Sequence, residues 1–401
     1  MNETHHLLTS NVLKLNIFAA LKMSLFPMAI ITLFWKDHIG LSLTEILVLQ
    51  VFFSVASVLM EYPSGYLSDR WGYRTSLILA CILGIIGWSF YLVAGSFAGV
   101  LLAELILGAS LAFISGSDTA LLYETLQATN SRELYMVSDG RMTGAAQLGE
   151  AAAALSAGAM YAFSPLLPFQ VQIGVWIVAL VLCISLKEPP VENAPVITSH
   201  LSRAAAVCRE AMLEKPHIRT TMLYGTLLGL ASFYMVWLVQ PYMQQCEVPL
   251  VWFGPVWAGA NLAVVAGSLI GPKLFGRIGL QPMCILLGGL VLAAYFGLGL
   301  STAVGGFLFY YLLTLMRGMQ GPMLRNMLQA GSTRDNRASI LSLHSLTFRA
   351  AFVLTGPLVG LAADTLRLQS TFLLIAGIYV LALPVMTRTF LREQDSSRQV
   401  S

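Results

Sequence analysis

Lys22, Glu104, Asp118, Glu150 and Arg349 each stand inside a long apolar run of this 401-residue sequence. A charge at the centre of a bilayer costs about 2.5–3.5 kcal/mol on insertion scales, so such side chains face a cavity or one another. Burial makes a carboxylate hold its proton, and a nearby cation opposes that effect. An acid that gains or loses a cationic neighbour can therefore exchange a proton. Asp118 and Glu150 fit that chemistry, and Glu104, closer to the outer end of its run, is a third candidate. Lys22 lies about ten residues into the first run and Glu150 about eleven into the fifth, so at about 1.5 Å per helical residue they reach similar depth, as does Arg349 in the eleventh. A Lys22–Glu150 pair and an Asp118–Arg141 pair are both open. The same residues also fit fixed ion pairs that only pack helices. Arg141, Arg317, Arg325 and His344 lie nearer the inner ends.

A second cluster, "GYLSDRWGYR" at 65–74, separates two apolar runs. A loop this short between antiparallel helices needs glycine to turn, which Gly65 and Gly72 supply. Asp69 precedes a helix and can interact with a helix N-terminus. Arg70 and Arg74 can pair with acids at neighbouring helix ends, with Glu124 and Glu61 as the candidates. Wetted pairs contribute about 0–1 kcal/mol each, which suits a latch that opens and closes. Phe18, Lys22 and Phe26 recur every fourth residue. With Phe233 and Arg349 they are candidates for an aromatic, sparsely charged cavity suited to an amphipathic organic molecule. Aromatic stripes of this kind also serve packing alone.

The elements that must position these residues are membrane helices. The sequence is 57% hydrophobic and only 11% charged, with a mean hydropathy of +0.74. A soluble domain carries about 25% charged residues. Runs long enough to span a bilayer lie near 12–36, 41–62, 75–97, 98–124, 139–163 and 165–186, then 218–242, 249–272, 280–302, 303–328, 338–362 and 369–390. The expected fold is therefore an all-α membrane protein with twelve transmembrane helices in two six-helix bundles. The expected organisation is an N-terminal bundle over 1–186, a cytoplasmic central loop over 187–217 and a C-terminal bundle over 218–401 with a short cytoplasmic tail. Within the loop, Leu201, Ala205, Cys208 and Met212 recur at helical spacing, which fits a short helix on the inner membrane surface or a plain linker.

Of the 23 Lys and Arg, fifteen fall in inner segments and two, Lys36 and Arg367, in outer loops, with the N-terminus inside. That bias puts both termini in the cytoplasm. The halves repeat: residues 41–72 slide forward by 207 onto 248–279 without gaps, and "LQATNSRE" at 126–133 slides by 202 onto "LQAGSTRD" at 328–335. Two parallel halves imply a pseudo-two-fold axis along the membrane normal. The pairs Gly225/Gly229, Gly267/Gly271 and Gly356/Gly360 permit close helix approach. Neither the five cysteines nor the six histidines form a metal-site pattern, and Cys246, alone on the outer side, has no disulfide partner. The N-terminal residues lack the pattern of a cleaved signal.

Twelve spans, the six-plus-six split and the 65–74 motif together resemble the major facilitator superfamily of secondary transporters, over nearly the whole chain. The family signature after helix 2 is roughly G-x-L-a-D-R-x-G-R-(K/R). Gly65, Leu67, Asp69, Arg70, Gly72 and Arg74 match it, while Tyr73 replaces a basic residue. The resemblance implies that Asp69, Arg70 and Arg74 stabilise an outward-facing state by bridging the halves on the cytoplasmic side. Two patterns common in drug antiporters are missing: helix 4 reads "ELILG" where they carry R-x-x-x-G, and helix 5 reads "GAAQLGEAAAALSAG" without the usual proline. The resemblance implies alternating-access transport of a small organic molecule, with proton-coupled export as the leading expectation. Nutrient uptake or facilitated diffusion is the alternative within transport, and a membrane sensor without transport the alternative outside it. No G-x-x-x-x-G-K-(S/T) motif occurs, so ATP is not the direct driver. No enzyme activity, cofactor, metal or nucleic-acid partner is expected. The expected partners are substrate, protons and membrane lipid, and the expected setting is a monomer in a bacterial cytoplasmic (inner) membrane.

Overall fold

The computed structural model describes residues 2–189, 208–331 and 336–400, which form helices and turns with no strand among them. The long helices are α1 (Asn2–Met23), α2 (Leu43–Trp71), α3 (Tyr73–Phe90), α4 (Phe97–Ile114), α5 (Ser117–Ala128), α6 (Tyr135–Phe163) and α7 (Leu167–Ile184). They continue with α8 (Pro216–Gln245), α9 (Phe253–Ile278), α10 (Leu280–Leu300), α11 (Tyr310–Ala330), α12 (Arg337–Thr365) and α13 (Leu368–Val400). Because α4 and α5 form one interrupted span, Phe97–Ala128, these helices make twelve spans. Among the described residues nine spans are long and apolar enough to cross a membrane on their own. The three that fall short, α1, α6 and α11, hold Lys14 and Lys22, then Asp139, Arg141 and Glu150, then Arg317 and Arg325. Polar groups on these spans that lie at membrane depth need cover from other helices, as Lys22 shows, whereas Arg141 and Arg325 are exposed.

The chain divides into two compact units, Met1–Pro195 with Pro249–Ala258, and Val196–Val248 with Gly259–Ser401. The internal repeat is written into the backbone of each. The first unit turns through left-handed conformations at Gly40 (φ +84°) and Gly72 (φ +89°). The second does so 207 residues later, at Glu247 (φ +55°) and Gly279 (φ +78°). Likewise α6 and α12 are both 29 residues long and begin 202 positions apart.

Local chemistry sets the boundaries. Ser42 opens α2 with a reciprocal cap: its hydroxyl accepts from the Glu45 N–H at 3.2 Å, and the Glu45 carboxylate accepts from the Ser42 N–H at 2.8 Å. Two of the N–H groups that lack partners at a helix start are thereby satisfied. The first span departs from the expected run over 12–36. Helix α1 stops at Met23, because proline keeps the residue before it out of helical backbone and brings no N–H. Phe26, before Pro27, leaves the helix and donates its N–H to Gln172 Oε1 at 2.9 Å. The chain resumes as a short helix over Ile31–Leu33 and a wider turn over Phe34–His38. Phe26 therefore does not share a helical face with Phe18 and Lys22.

The expected surface helix in the central loop lies mostly outside the described residues, as do residues 332–335 of the second repeat copy. The segment that leads into α8 is held by a Glu210–Lys215 ion pair of 2.8 Å and by Asn336, whose Nδ2 donates to Glu210 Oε2 at 3.3 Å. The hydrogen bond from Lys215 keeps the half-buried Glu210 carboxyl below its ordinary range.

Candidate functional site

The fourth span is broken where the sequence reads "ISGSD". Helix α4 ends at Ile114, Gly116 takes a left-handed conformation (φ +81°), and α5 starts at Ser117. The single run expected over 98–124 is thus two half-helices. One of the carbonyls at the end of α4 is met from α2: the Ser64 hydroxyl donates to the Ala112 carbonyl at 3.0 Å. Ser68 bonds to Ser76 at 2.7 Å and to Ser117 at 3.1 Å, tying α2, α3 and the start of α5 together. Buried backbone groups need such partners, and here serine side chains provide them.

The break brings Asp118 into the first turn of α5, where a negative charge is favoured by the helix dipole. Its Oδ2 pairs with Lys22 Nζ from α1, and its Oδ1 accepts from the Thr119 N–H at 2.8 Å. The Asp118 side chain is 6% exposed and Lys22 21%, so the pair is largely withdrawn from solvent. Asn11, buried on α1, donates to Thr125 Oγ1 at 3.2 Å and to the Lys187 carbonyl at 2.8 Å, and accepts from the Lys187 N–H at 3.1 Å. That three-way bond fixes α1 against α5 one end away from the ion pair. Phe18, expected to line a cavity, is fully buried, with Lys22 Nζ 6.0 Å from its ring centroid. It packs rather than lines.

The two pairings left open by depth are both replaced. Lys22 joins Asp118, not Glu150, because the break carries Asp118 to the depth at which α1 ends. Arg141 is exposed. Glu150 accepts from the Trp257 indole N–H at 3.3 Å. Around Glu150, α6 packs by glycine. A Cβ on Gly149 would fall on the Ala20 carbonyl of α1, and one on Gly158 would fall on the Leu250 carbonyl. A Cβ on Gly254 would in turn fall on the Ala154 carbonyl.

Glu104 belongs to another site. It is buried, accepts from Gln50 Nε2 at 3.1 Å and from the Tyr91 hydroxyl, and lies beside an aromatic group in which Tyr91 stacks on Trp88 at 5.5 Å and Phe169 at 5.0 Å. The fourteen residues that separate it from Asp118 span about 20 Å of helix. In the second unit, Phe233 meets Phe348 and Phe352 edge to face at 5.4 Å and 4.8 Å, and Arg349 on α12 is half-buried.

At the 65–74 motif the acid in contact is one the sequence reading passed over. Helix α3 opens at Gly72, which has no side chain to cap it. Glu188, just beyond α7, supplies the cap by accepting from the N–H groups of Tyr73 and Arg74, each at 2.8 Å. Arg74 Nη2 donates to the Ile184 carbonyl at 2.7 Å, and Arg70 Nη1 to the Tyr66 hydroxyl at 3.3 Å. Among the described side chains neither arginine forms an ion pair with Glu61 or Glu124, the partners expected from sequence. Glu61 is exposed and Glu124 half-buried. A helix start without a cap competes strongly for a nearby carboxylate, and an acid at the edge of a linker was the available signal. The side chain of Asp69 lies outside the described residues, and Gly65 is exposed within α2.

Gly72→Ala is expected to lower the melting temperature more than Gly279→Ala. Both positions have the positive φ that strains any other residue by about 1–3 kcal/mol. Only at Gly72 would the added Cβ also stand 2.7 Å from the Glu188 carboxyl carbon, whereas Gly279 faces open space. Equal losses in the two variants would show that the Glu188 cap adds nothing at this turn.

A family model for the Major Facilitator Superfamily matches residues 15–331. No curated protein sequence matches this one. The fold is similar to that of the nucleoside transporter NupG, with a TM-score of 0.79 at 13% identity over 95% of this chain and 99% of that one. It is also similar to a bacterial homologue of the human lysosomal transporter Spinster in an inward-facing, unoccupied conformation, with a TM-score of 0.74 at 16% identity over 96% and 98% of the two chains. A variant of the peptide transporter POT gives 0.75 at 12% identity over 96% and 95%. At these identities the likeness is one of fold.

Proposed function

The chain belongs to the Major Facilitator Superfamily, an integral-membrane transporter of small molecules and not an enzyme, and on that premise we propose that it is an antiporter exchanging a small amphipathic molecule for protons. Asp118 is the proton-carrying group and Lys22 its internal competitor. The observation that carries this reading is the Lys22–Asp118 pair at the interruption of the fourth span. Interrupted helices in transporters gather ion and substrate sites, because their free termini offer charge and unpaired backbone at membrane depth. A carboxylate that is held by Lys22, by a proton or by a cationic group of the cargo, but by one at a time, produces exchange rather than symport. With an inward proton gradient, exchange is export. Glu150 is a second acid that the same cycle could titrate, and Glu104 a third, farther from the pair.

In this reading the six-span halves, 1–186 and 218–401, give the cargo alternating access to the two sides of the membrane, and Phe233 and Arg349 belong to the cargo cavity. The 187–217 segment connects them in the cytoplasm, where both termini lie. Asp69, Arg70 and Arg74 fasten the cytoplasmic rims in the outward-facing state. The protein works as a monomer in a bacterial inner membrane.

Proteoliposomes that contain a pH-sensitive dye test the reading, with ethidium and tetraphenylphosphonium as probes. Wild-type protein is expected to concentrate a probe against its gradient when a pH difference is imposed, with proton counter-movement. Asp118→Asn should abolish the concentration while still allowing the probe to equilibrate. If Asp118→Asn concentrates probe as wild type does, Asp118 is not the coupling group. Accumulation with protons moving in the same direction as the probe would make the protein an importer, and tight binding without movement would make it a sensor.

A further inference from the structure

The internal repeat gives the ion-pair site a neutral counterpart. The offset of 207 carries Lys22 to Gly229, and the offset of 202 carries Asp118 to Gln320. The counterparts adjoin as the originals do: the Gln320 amide nitrogen lies 4.0 Å from where a Cβ on Gly229 would stand. In the second unit, therefore, a charged pair has become an amide beside bare backbone.

Three helices meet there in register. Gly225 and Gly229 are one turn apart on α8, Gln320 and Leu324 on α11, and His344 and Phe348 on α12. A Cβ on Gly225 would stand 2.7 Å from Leu324 Cδ1 and 3.0 Å from His344 Cε1, and one on Gly229 would stand 3.1 Å from Phe348 Cε2. The glycines let both rings approach the α8 backbone. One turn further on, Phe233 stands edge-on to Phe348 at 5.4 Å, which extends the aromatic wall. Gln320 is only 6% exposed, yet its Oε1 meets no donor, and neither does His344 Nδ1 meet a partner. Buried amide oxygens are almost always bonded, so an unmet one marks a group that a ligand can satisfy.

We propose that Gln320 and His344, backed by Phe233 and Phe348, form a cargo-binding subsite within the second unit, one that takes a planar group bearing N–H donors, such as a heteroaromatic amide. An N–H of the ligand bonds to Gln320 Oε1. The neutral imidazole of His344 gives or accepts the second bond, depending on its tautomer. The ring face packs on the phenylalanines. A ring of the same shape without an N–H leaves the amide oxygen unmet and is rejected, because sites built around a hydrogen bond discriminate strongly against analogues that lack it. The word cargo rests on the transport reading above, whereas binding itself does not.

Purified full-length protein in detergent tests the assignment through thermal-shift titration. The probes are nicotinamide and uracil, set against methyl benzoate and toluene. Nicotinamide or uracil is expected to raise the melting temperature, and the N–H-free rings are not. Gln320→Leu and Gln320→Met, which keep the bulk of the side chain, should each weaken the apparent Kd about tenfold or more, the loss expected when one buried polar partner is missing. His344→Ala should weaken it too, and Gly174→Ala on α7, whose added carbon meets nothing within 4 Å, should leave it unchanged. The assignment is overturned if no N–H probe binds, if the two classes bind alike, or if a Gln320 variant that melts like wild type binds as wild type does. Probes that bind as expected yet never cross proteoliposome membranes would support the site and count against the transport reading alone.

Discussion

Lys22→Met is expected to destabilise the protein by about 3–5 kcal/mol at neutral pH, the usual result of orphaning one member of a buried ion pair. Asp118, 6% exposed beside Lys22, would keep its charge without the cation that compensates it. The penalty belongs to that uncompensated charge. Lys22→Met combined with Asp118→Leu removes both charges and should recover most of the lost stability, since an apolar replacement of a buried pair is often neutral. Melting curves of the wild type, each single variant and the double variant measure this coupling directly. If Lys22→Met and the double variant melt together, the two residues are not energetically linked. A rescue confined to stability, with gradient-driven accumulation still absent, would separate the architectural role of the pair from its role in coupling.

Gly149→Ala is expected to produce the next largest loss, with a different cause. The added carbon would fall on the Ala20 carbonyl of α1, and a backbone atom cannot swing aside as a side-chain tip can. Overpacking of this kind costs about 1–3 kcal/mol, occasionally more. Here the relief would come from pushing α1 away from α6, which moves Lys22, two residues beyond Ala20, off Asp118. Both the melting temperature and proton coupling should fall. Gly174→Ala on α7 is the matched comparison: nothing lies within 4 Å of its added carbon, and alanine favours helix by about 1 kcal/mol over glycine. That variant should melt at or above the wild-type temperature. If Gly149→Ala and Gly174→Ala behave alike, the close approach of α1 and α6 is not a structural requirement.

The coarse architecture was legible because it follows from quantities a sequence carries directly. Apolar length gives spans, and the offsets of 207 and 202 read from residue identities reappear in backbone turns and helix bounds. Asp118 and Lys22 were visible as candidates for the same reason: charge inside an apolar run is rare. Their pairing was not visible. Depth counted along straight helices put Lys22 level with Glu150, but α1 ends at Met23 and the fourth span breaks at Gly116. Each interruption shifts the register from which depth is counted. Ser-Gly-Ser is an ordinary sight inside a membrane helix, so the "SGSD" break had only a weak signal, while Phe26–Pro27 had a clear one in its proline. Glu188 was missed because a cap is decided by which helix start lacks an acceptor, and that depends on tertiary contacts between α3 and α7. The unmet Gln320 oxygen is likewise a property of three packed helices, not of any one run.

The interrupted fourth span has a consequence for synthesis at the translocon. Helix α5 has twelve residues and rises only about 18 Å, too little to cross the roughly 30 Å of bilayer hydrocarbon by itself. It must partition into lipid together with α4 as one entity, with its acid aboard. Lys22 leaves the ribosome 96 residues ahead of Asp118, so the acid meets a cation already waiting in the membrane. The order of residues in the chain thus puts the unpaired interval on the lysine, whose long stem can carry its charge toward the headgroups, and spares the short carboxylate that interval.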